Sequence, residues 1–486
     1  MTQEENKSNK IEYLELSAGR GKTYSTVKWV VEDQIPKGEK YIYIAPSKDL
    51  INETANLIFN LGYEEFIVIT DEHYKGVLKN TLDILPEKES QLYLITHANL
   101  ENIIMAKEEW IFEGFNIVID ELPNIFNMHD YQLNSKIDFI KDRLICKDGY
   151  EKDSVYTLKR SKGMLESLVK DSKKNASPKI TSFAKALLYS DTVITQENSG
   201  YTTYQTFTIT NYEDFMEQTK RVIVLAAKVT STLFSGLLER QGIVFEEFTD
   251  VVPTRPTYQN QERVKIYYLT DEKVKGGCTS SILNSAYNIK TGKKLGYKDY
   301  RHLPNGVDDL DEGFINVYQE YVDRACNLLG KDFIYTVNYK RFTKEYKEVK
   351  YNGEDYGYCV PYGCHGLNKY SHITKALSIF CYKPSPVHKK LLQHLSVVLE
   401  YPSIEKEYVD LKMKDASYQL CMRTKLRDYS DTTSEIVFVV PDIEVANYIK
   451  DEHIPNCVID NSIALYIPDN RENNGGHNKD GTFQRI

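Results

Sequence analysis

The stretch IEYLELSAGRGKT, Ile11 to Thr23, decides the fold because it joins a strand to a glycine loop and a helix start. Its first six residues, IEYLEL, form an apolar strand pattern. The loop SAGRGKT, Ser17 to Thr23, follows directly, and a helix-like stretch begins after it. Strand, glycine loop and helix is the context that a phosphate-binding loop requires.

Outward from this stretch, short apolar runs alternate with helical stretches through residues 11–123. The runs are IEYLEL, YIYIAP, FIVI, LYLIT and FNIVID. That order predicts a parallel sheet covered on both faces. A second series begins near Arg263 with VKIYYL, continues through DFIYTV and ALSIFCY, and closes with EIVFVVP. The expected fold class is therefore α/β, with two parallel-sheet lobes in tandem.

The domain boundaries follow changes in composition. Residues 124–220 are polar, lysine-rich and helix-like, which predicts a mainly helical insertion in the first lobe. Residues 250–261 carry two prolines and few apolar side chains, as linkers do. The predicted division is 1–10 as a disordered N-terminus, 11–249 as the first domain, 250–261 as the linker, 262–468 as the second domain, and 469–486 as a polar, disordered tail.

Composition bounds the class of protein. Sixty-one Lys and Arg against 70 Asp and Glu give a net charge of -9 over 486 residues, which excludes coating of nucleic acid by bulk charge but allows a local basic groove. The eight cysteines form no CxxC pair, which suits a reducing compartment. With no long apolar run and no signal-peptide character in the first ten residues, we expect a cytoplasmic protein without a membrane partner.

The glycine loop carries a specific chemistry. Gly19 and Gly21 let backbone N–H groups converge on phosphate oxygens at a helix N-terminus. Lys22 would then hold the β and γ phosphates, and Thr23 would ligate Mg²⁺. The loop departs from the GxxxxGK[ST] pattern because Leu16 stands at the first glycine position. The predicted nucleotide-binding residues are Gly19, Arg20, Gly21, Lys22, Thr23 and Tyr24.

A second string, FNIVIDELP at Phe115 to Pro123, ends an apolar strand in two adjacent carboxylates about 100 residues downstream of the loop. Asp120 can bind magnesium through its water shell. Glu121 can orient and deprotonate the attacking water. Because a phosphate loop precedes this acid pair, the sequence predicts a metal-dependent hydrolytic site that includes both strings.

A third string, QLCMRTKLRD, runs from Gln419 to Asp428. A helix would present Gln419, Arg423 and Arg427 on one face, at spacings of four residues. An arginine aimed at the γ phosphate stabilises charge that develops during transfer, with an effect of about 10³ to 10⁵ on the rate. We include all three as catalytic candidates, and the spacing leaves open which arginine serves as the finger.

Together these strings resemble a superfamily 2 helicase, DEAD/DEAH-like, with two RecA-like lobes, over roughly residues 10–460. YIYIAPSKDLINE is similar to motif Ia, LITHANL to the next strand-loop motif, VIVLAAKVTSTLF to motif III and YGCHGLNKYSHITKALSIF to motif V. The resemblance implies contacts to the nucleic-acid backbone that carry no base information. The residues it assigns to them are Pro46, Ser47, Thr96, His97, Gly366 and Asn368.

The sequence also departs from the helicase pattern. DELP replaces the DEAD or DEAH tetrad, AAK at Ala226 to Lys228 replaces SAT, and the segment before Lys22 is too short for the adenine-reading glutamine of DEAD-box RNA helicases. DNA is therefore favoured over RNA. The composition and the HGLN string are similar to helicase-like proteins of large bacteriophages.

The resemblance implies an ATP- and Mg²⁺-dependent helicase or translocase, with nucleic acid and a replication or recombination protein as expected partners. One alternative is a phage-type packaging or remodelling ATPase without unwinding activity, for which the second half offers a glutamine and two arginines rather than an acidic nuclease triad. Another is a noncatalytic adaptor with a relic site. The presence of Lys22, Thr23, Asp120 and Glu121 argues against the adaptor.

Overall fold

A computed structural model describes residues 9–134, 155–157, 163, 169, 178–188, 192–198, 201–253, 260–288, 290–296, 299, 313–338, 347–362, 369–428 and 430–467. The chain divides into two compact units. The first contains Met1–Leu16, Gly21–Pro253 and Pro384–Glu405, and the second contains Ser17–Arg20, Thr254–Lys383 and Lys406–Ile486. No helix in the described ranges is long and apolar enough to cross a membrane.

The strands are numbered along the chain. They are β1 (Lys10–Glu15), β2 (Tyr41–Ala45), β3 (Phe66–Ile69), β4 (Leu92–Thr96), β5 (Asn116–Asp120), β6 (Phe126–Asn134), β7 (Val155–Thr157), β8 (Thr192–Asn198), β9 (Tyr201–Ile209), β10 (Arg221–Ala226), β11 (Val244–Glu247), β12 (Val264–Thr270), β13 (Ser285–Asn288), β14 (Lys294–Gly296), β15 (Phe314–Asn316), β16 (Phe333–Val337), β17 (Lys350–Tyr351), β18 (Glu354–Asp355), β19 (Gly357–Cys359), β20 (Lys375–Ile379), β21 (Ile436–Asp442) and β22 (Val458–Asp460).

The helices are numbered in the same way. They are α1 (Lys22–Trp29), α2 (Lys48–Asn60), α3 (Val77–Ile84), α4 (His97–Ala106), α5 (Pro178–Leu188), α6 (Glu213–Gln218), α7 (Leu233–Glu239), α8 (Ser280–Leu283), α9 (Val317–Leu329), α10 (Pro386–Val398), α11 (Ile404–Val409), α12 (Ala416–Cys421) and α13 (Ile443–Glu452).

The first unit is built on a seven-stranded sheet in the order β11-β1-β10-β5-β2-β4-β3, and every neighbouring pair is parallel. The five strands predicted from the sequence are confirmed as β1 to β5. Because the strands are parallel, their carboxyl ends lie along one edge of the sheet. The residues that end the strands along this edge include Glu15, Ala45, Thr96, Asp120 and Ala226.

Strands β2 and β5, neighbours in the middle of this sheet, are buried at every residue. Strands covered on both faces are continuous apolar runs, which explains the sequences YIYIA and NIVID. Each fully buried Ile or Val side chain stabilises the sheet by about 1.5–3 kcal/mol. A carboxylate is costly in such a place. Asp120 is nevertheless buried at the end of β5, so its carboxylate needs hydrogen-bond partners.

The described part of the insertion corrects the prediction of a mainly helical segment. Strands β6, β9, β8 and β7 form a four-stranded antiparallel sheet in that order, accompanied by α5. β9 has the sequence YTTYQTFTI, whose threonines and aromatic residues favour strands. The polar, lysine-rich composition of residues 124–220 as a whole hid these strands, of which β6 and β9 are far apart in the chain.

The second unit contains a six-stranded sheet in the order β19-β16-β20-β21-β12-β22, again with parallel neighbours throughout. The four strands predicted from VKIYYL, DFIYTV, ALSIFCY and EIVFVVP are confirmed as β12, β16, β20 and β21. Two small antiparallel sheets, β14-β13-β15 and β17-β18, complete the unit in its described residues. The two parallel sheets confirm the predicted α/β class with tandem lobes.

The segment Pro384–Glu405, which includes α10, packs with the first unit although the sequence-based division gives it to the second domain. The Tyr401 hydroxyl donates to the Thr232 carbonyl at 3.3 Å, and the Arg240 guanidinium donates to the Glu400 carbonyl at 2.9 Å. At Gly236 a Cβ atom would lie 2.2 Å from the Tyr401 ring, which explains the glycine. Chain order alone does not reveal this exchange of a segment.

Candidate nucleotide and metal site

The loop between β1 and α1 is shaped by two glycines in the left-handed region, with φ of 81° at Gly19 and 85° at Gly21. A side chain with a Cβ atom would be strained at both positions. Gly21 also forms the N-cap of α1, and no described side chain caps this helix end. Such a helix end presents its amides and the positive end of its dipole to an anion. The geometry fits the predicted phosphate loop.

Lys22, the first residue of α1, is 5% exposed. Its ammonium group donates to the Leu16 carbonyl at 2.5 Å, across the loop that the two glycines form. A buried ammonium group needs such an acceptor, or an anion in its place. The structure therefore places the Lys22 ammonium next to the residue that precedes the predicted phosphate loop.

Asp120 ends β5 and is 2% exposed. The Thr23 hydroxyl donates to its Oδ2 at 2.7 Å, and the Tyr43 hydroxyl donates to the same oxygen. Burial, and secondarily the charge of Glu121, raise the pKa of the Asp120 carboxyl, although Tyr43 and Thr23 oppose this shift. The structure thus brings together Thr23 and Asp120, the two residues predicted to hold the metal ion.

Glu121 follows Asp120 with a backbone φ of 63°. Its amide donates to the Leu225 carbonyl of β10 at 2.7 Å, which holds this uncommon backbone conformation in place. The extended backbone of β5 thus ends at Asp120. Two adjacent carboxylates are therefore held differently, one buried and doubly hydrogen-bonded and the other half-buried at the turn.

Tyr43 is a member of this site that the sequence analysis missed. It lies on β2, is 3% exposed and packs in the same apolar cluster as Tyr41 and Ala45. Burial and the neighbouring charge of Asp120 raise the pKa of the Tyr43 hydroxyl well above its usual value, so it remains a hydrogen-bond donor. A tyrosine in a fully buried strand was the available signal, because a buried hydroxyl needs a partner.

Glu15 is a second residue that the sequence analysis missed. Its Oε2 accepts hydrogen bonds from the amides of Val229 and Thr230 and from the Thr230 hydroxyl, each at 2.8 Å. Glu15 ends β1 directly before the phosphate loop. It therefore fixes the segment after β10, which follows Ala226–Lys228 of the predicted motif III, to the strand that carries the loop.

Three of the residues predicted to face a nucleic-acid backbone, Ser47, Thr96 and His97, lie at helix starts on the same edge of the sheet. The Ser47 hydroxyl accepts the Leu50 amide as the N-cap of α2, and the Thr96 hydroxyl accepts the Asn99 amide as the N-cap of α4. Pro46, directly before Ser47, is half-buried. The structure thus gives both hydroxyls a capping role.

His97 was also predicted to face nucleic acid, and the structure places it at the acid pair. Its Nε2 lies 2.9 Å from the Asp120 carbonyl oxygen, a hydrogen bond that requires the proton on Nε2. His97 therefore supports the backbone at Asp120, the carboxylate predicted to bind the metal ion. This contact was not anticipated, because it joins the start of α4 to the end of β5.

In the second unit, the predicted helical face of Gln419, Arg423 and Arg427 is only partly formed. Helix α12 ends at Cys421, and a separate short turn contains Arg427. Gln419 and Arg423 are buried, and the Arg423 guanidinium donates to the Gln419 side chain at 3.1 Å. Gln419 lies in α12, whereas Arg423 and Arg427 both follow its end, and the contact across the first four-residue spacing forms nevertheless.

Of four further residues predicted to bind nucleotide or nucleic acid, the structure describes two. Tyr24 lies in the first turn of α1 with 42% of its surface exposed, beside the phosphate loop. Arg20 is half-buried within the loop. Gly366 and Asn368 lie outside the described residues.

The donor set fits Mg²⁺. Hydroxyl and carboxylate oxygens are hard ligands, and Mg²⁺ is commonly held by one or two carboxylates together with substrate phosphates rather than by a protein cage. No cage of three or more His, Cys, Asp or Glu side chains occurs among the described residues. A Thr hydroxyl can donate to Asp120 and still offer lone pairs to a cation. Burial and the charge of Glu121 raise the pKa of the Asp120 carboxyl, and a cation bound beside it would act in the opposite direction.

Comparison with known proteins found no matching family model and no matching curated protein. Several solved structures are similar over most of the chain. Xpd4 of S. tokodaii is 10% identical, with 93% of this chain and 96% of that chain covered and a TM-score of 0.44. S. cerevisiae Dbp5 bound to RNA and ADP BeF3 is 9% identical, with 96% and 87% covered and a TM-score of 0.36.

The NS3-like helicase from Alongshan virus is likewise similar, at 10% identity, with 93% of this chain and 76% of that chain covered and a TM-score of 0.32. Identities and TM-scores in this range are low. Function is therefore argued from the residues of this chain.

Proposed function

We propose that the protein is an ATP hydrolase of the helicase or translocase type, which uses Mg²⁺ and moves on or unwinds DNA. The observation that carries this proposal is the hydrogen bond from Thr23 to Asp120, 97 residues apart in the chain. It brings the phosphate loop and the acid pair into one place. That juxtaposition is what metal-assisted hydrolysis of a nucleoside triphosphate needs.

In this proposal each residue has a definite role. The loop amides around Gly19 and Gly21 bind phosphate oxygens, and the Lys22 ammonium exchanges the Leu16 carbonyl for the β and γ phosphates. Thr23 and Asp120 would hold Mg²⁺, which when bound neutralises phosphate charge. Glu121 orients the attacking water and accepts its proton. We base these roles on which groups at the carboxyl edge of the first sheet donate hydrogen bonds and which accept them.

Nucleic acid as the partner is supported by the string order of the two lobes and by the position of Ser47 and Thr96 on the edge that carries the acid pair. We further propose that Arg423 or Arg427 acts on the γ phosphate and that the protein works in the cytoplasm with a replication or recombination protein. We favour DNA over RNA because DELP stands where DEAD-box RNA helicases carry their tetrad. Tyr24, exposed beside the loop, is proposed to contact the nucleotide base.

The test is steady-state ATP hydrolysis with no polymer, with single-stranded DNA, with duplex DNA and with RNA, each at two salt concentrations. We expect DNA to raise turnover at least about tenfold, with weaker stimulation at high salt because phosphate contacts release counterions. Stronger stimulation by RNA would support the proposed helicase or translocase activity but show that its substrate is RNA.

Lys22→Ala supplies the control for contaminating activity. It should lower turnover by about 10² to 10³ or more, as loss of a phosphate-binding cation does, while the chain stays folded by circular dichroism. Turnover that is the same with all polymers would contradict the motor and favour a remodelling ATPase driven by a protein partner. Turnover retained in Lys22→Ala would contradict the site itself.

A further inference from the structure

Tyr43 occupies a position that the proposed roles do not use. Its ring is packed in the apolar cluster of the first sheet, and its hydroxyl reaches the carboxyl end of β5. The strand pairing explains the reach: β2 and β5 are parallel neighbours, with Tyr43 opposite Val118, two residues before Asp120. The phenol therefore extends along the strand direction to the carboxylate that ends β5.

The hydrogen bond from Tyr43 restricts the orientation of the Asp120 side chain. A phenol that donates to a carboxylate makes a charge-assisted hydrogen bond, which is shorter and stronger than a neutral one. Tyr43 is 3% exposed, so water competes poorly for its hydroxyl. The backbone carbonyl of Asp120 accepts a hydrogen bond from His97 as well. The Asp120 side chain thus has little freedom to rotate.

We propose that Tyr43 is a positioning residue for the metal-binding carboxylate. Together with Thr23 it donates to Oδ2 of Asp120 and so fixes the orientation of the carboxylate that would hold Mg²⁺. This inference rests on the proposed function and extends it by one residue. Groups that orient a metal ligand from outside the ligand set alter metal affinity or activity by about 10- to 100-fold when they are removed.

The strand supplies a matched control. Tyr41 lies two residues earlier on β2, is 1% exposed and belongs to the same apolar cluster. It stands opposite Asn116, at the far end of β5 from Asp120. Tyr41→Phe and Tyr43→Phe therefore remove the same atom from the same strand, and only the second removes a contact to the acid pair.

The experiment measures Mn²⁺ binding by electron paramagnetic resonance, with the full-length protein and a non-hydrolysable ATP analogue. We expect Tyr43→Phe to weaken Mn²⁺ binding about tenfold, with Tyr41→Phe and wild type alike. The Mg²⁺ concentration that gives half-maximal ATP turnover should rise in the same variant and by a similar factor. Nucleotide binding measured in EDTA should be unchanged, because no phosphate-binding group is altered.

A purely structural role for Tyr43 predicts a different result, namely a lower unfolding temperature with unchanged Mn²⁺ affinity, and that result would overturn the proposal. Tyr43→Met, which fills much of the same volume without a donor, repeats the test if Tyr43→Phe folds poorly. In an Asp120→Asn background, Tyr43→Phe should have no further effect on metal binding. If wild type itself binds no Mn²⁺ with the nucleotide analogue, the proposed function fails first, and the two failures are distinguished.

Discussion

The polar cluster at Asp120 in the first unit and the pair of Gln419 and Arg423 in the second are both buried, but they are assembled in different ways. Asp120 is bonded by Thr23 and Tyr43, which come from two other segments of the chain. Arg423 is bonded by a residue one helical turn before it. The first cluster depends on the order of strands in a sheet, and the second on local helix geometry.

The difference shows which of the two regions can be disturbed by substitutions elsewhere in the chain. A local pair such as Gln419 and Arg423 forms wherever its helical turn forms, and the planar guanidinium keeps further donors for an anion. The cluster at Asp120 exists only when β1, β10, β5 and β2 lie side by side in this order and in register. We therefore expect substitutions in both regions to lower the reaction rate. Only substitutions in the first region should do so by weakening metal binding.

The largest effect is expected from the arginines of the second unit. Arg423→Ala or Arg427→Ala, whichever is the finger, should lower turnover by about 10³ or more, and the other should mainly lose stimulation by polymer. The measurement is the rate constant with and without DNA. Arg324→Ala, which removes an arginine paired with Glu320 on α9, is the control. Wild-type behaviour of both variants would remove this string from the site.

Glu121→Gln should break the acid pair without changing its shape. The amide keeps the size of the side chain but cannot accept the proton of the attacking water, so turnover should fall by about 10² to 10⁴. ATP should remain bound after gel filtration in Mg²⁺. Glu113→Gln, an exposed position before β5, is the matched control. Rapid hydrolysis by Glu121→Gln would show that another group activates the water.

A smaller effect is expected at Glu15, which tests the dependence on strand order. Glu15→Ala removes the acceptor of three hydrogen bonds to Val229 and Thr230 and should lower the free energy of unfolding by about 1–3 kcal/mol. Urea denaturation followed by tryptophan fluorescence measures the change. Glu239→Ala, exposed at the end of α7, should change it by much less. If Glu15→Ala and Glu239→Ala lowered the free energy of unfolding equally, the segment after β10 would have to be held by other contacts.

The smallest effect is expected at Ser47, where capping and backbone contact can be separated. Asp caps a helix as well as Ser does, so Ser47→Asp should leave thermal stability unchanged. Its negative charge should weaken DNA binding several-fold at low salt, as measured by fluorescence anisotropy. Asn316→Asp, which alters the N-cap of α9, controls for charge alone. Equal binding by Ser47→Asp and wild type would place Ser47 away from the phosphates.

The sequence was sufficient for most of the fold. The strands of both parallel sheets follow from apolar runs, and the sheet edge that carries the loop and the acid pair follows from strand ends. It was insufficient for the insertion, where β6 pairs with β9 across a long polar stretch. It was also insufficient for α10, since the chain leaves the second unit at Pro384 and returns after Glu405. Such pairings depend on contacts distant in the sequence, which local patterns do not encode.

By itself the sequence determined the glycine loop, the lysine and threonine that follow it, and a carboxylate pair at a strand end, because each is a local string whose chemistry depends on neighbours. Only the tertiary structure decided that the Tyr43 hydroxyl and His97 converge on Asp120 and that Glu15 holds the segment after β10. The physical reason is that these contacts are fixed by which strands lie side by side and in what register. Those two properties arise from packing of the whole sheet.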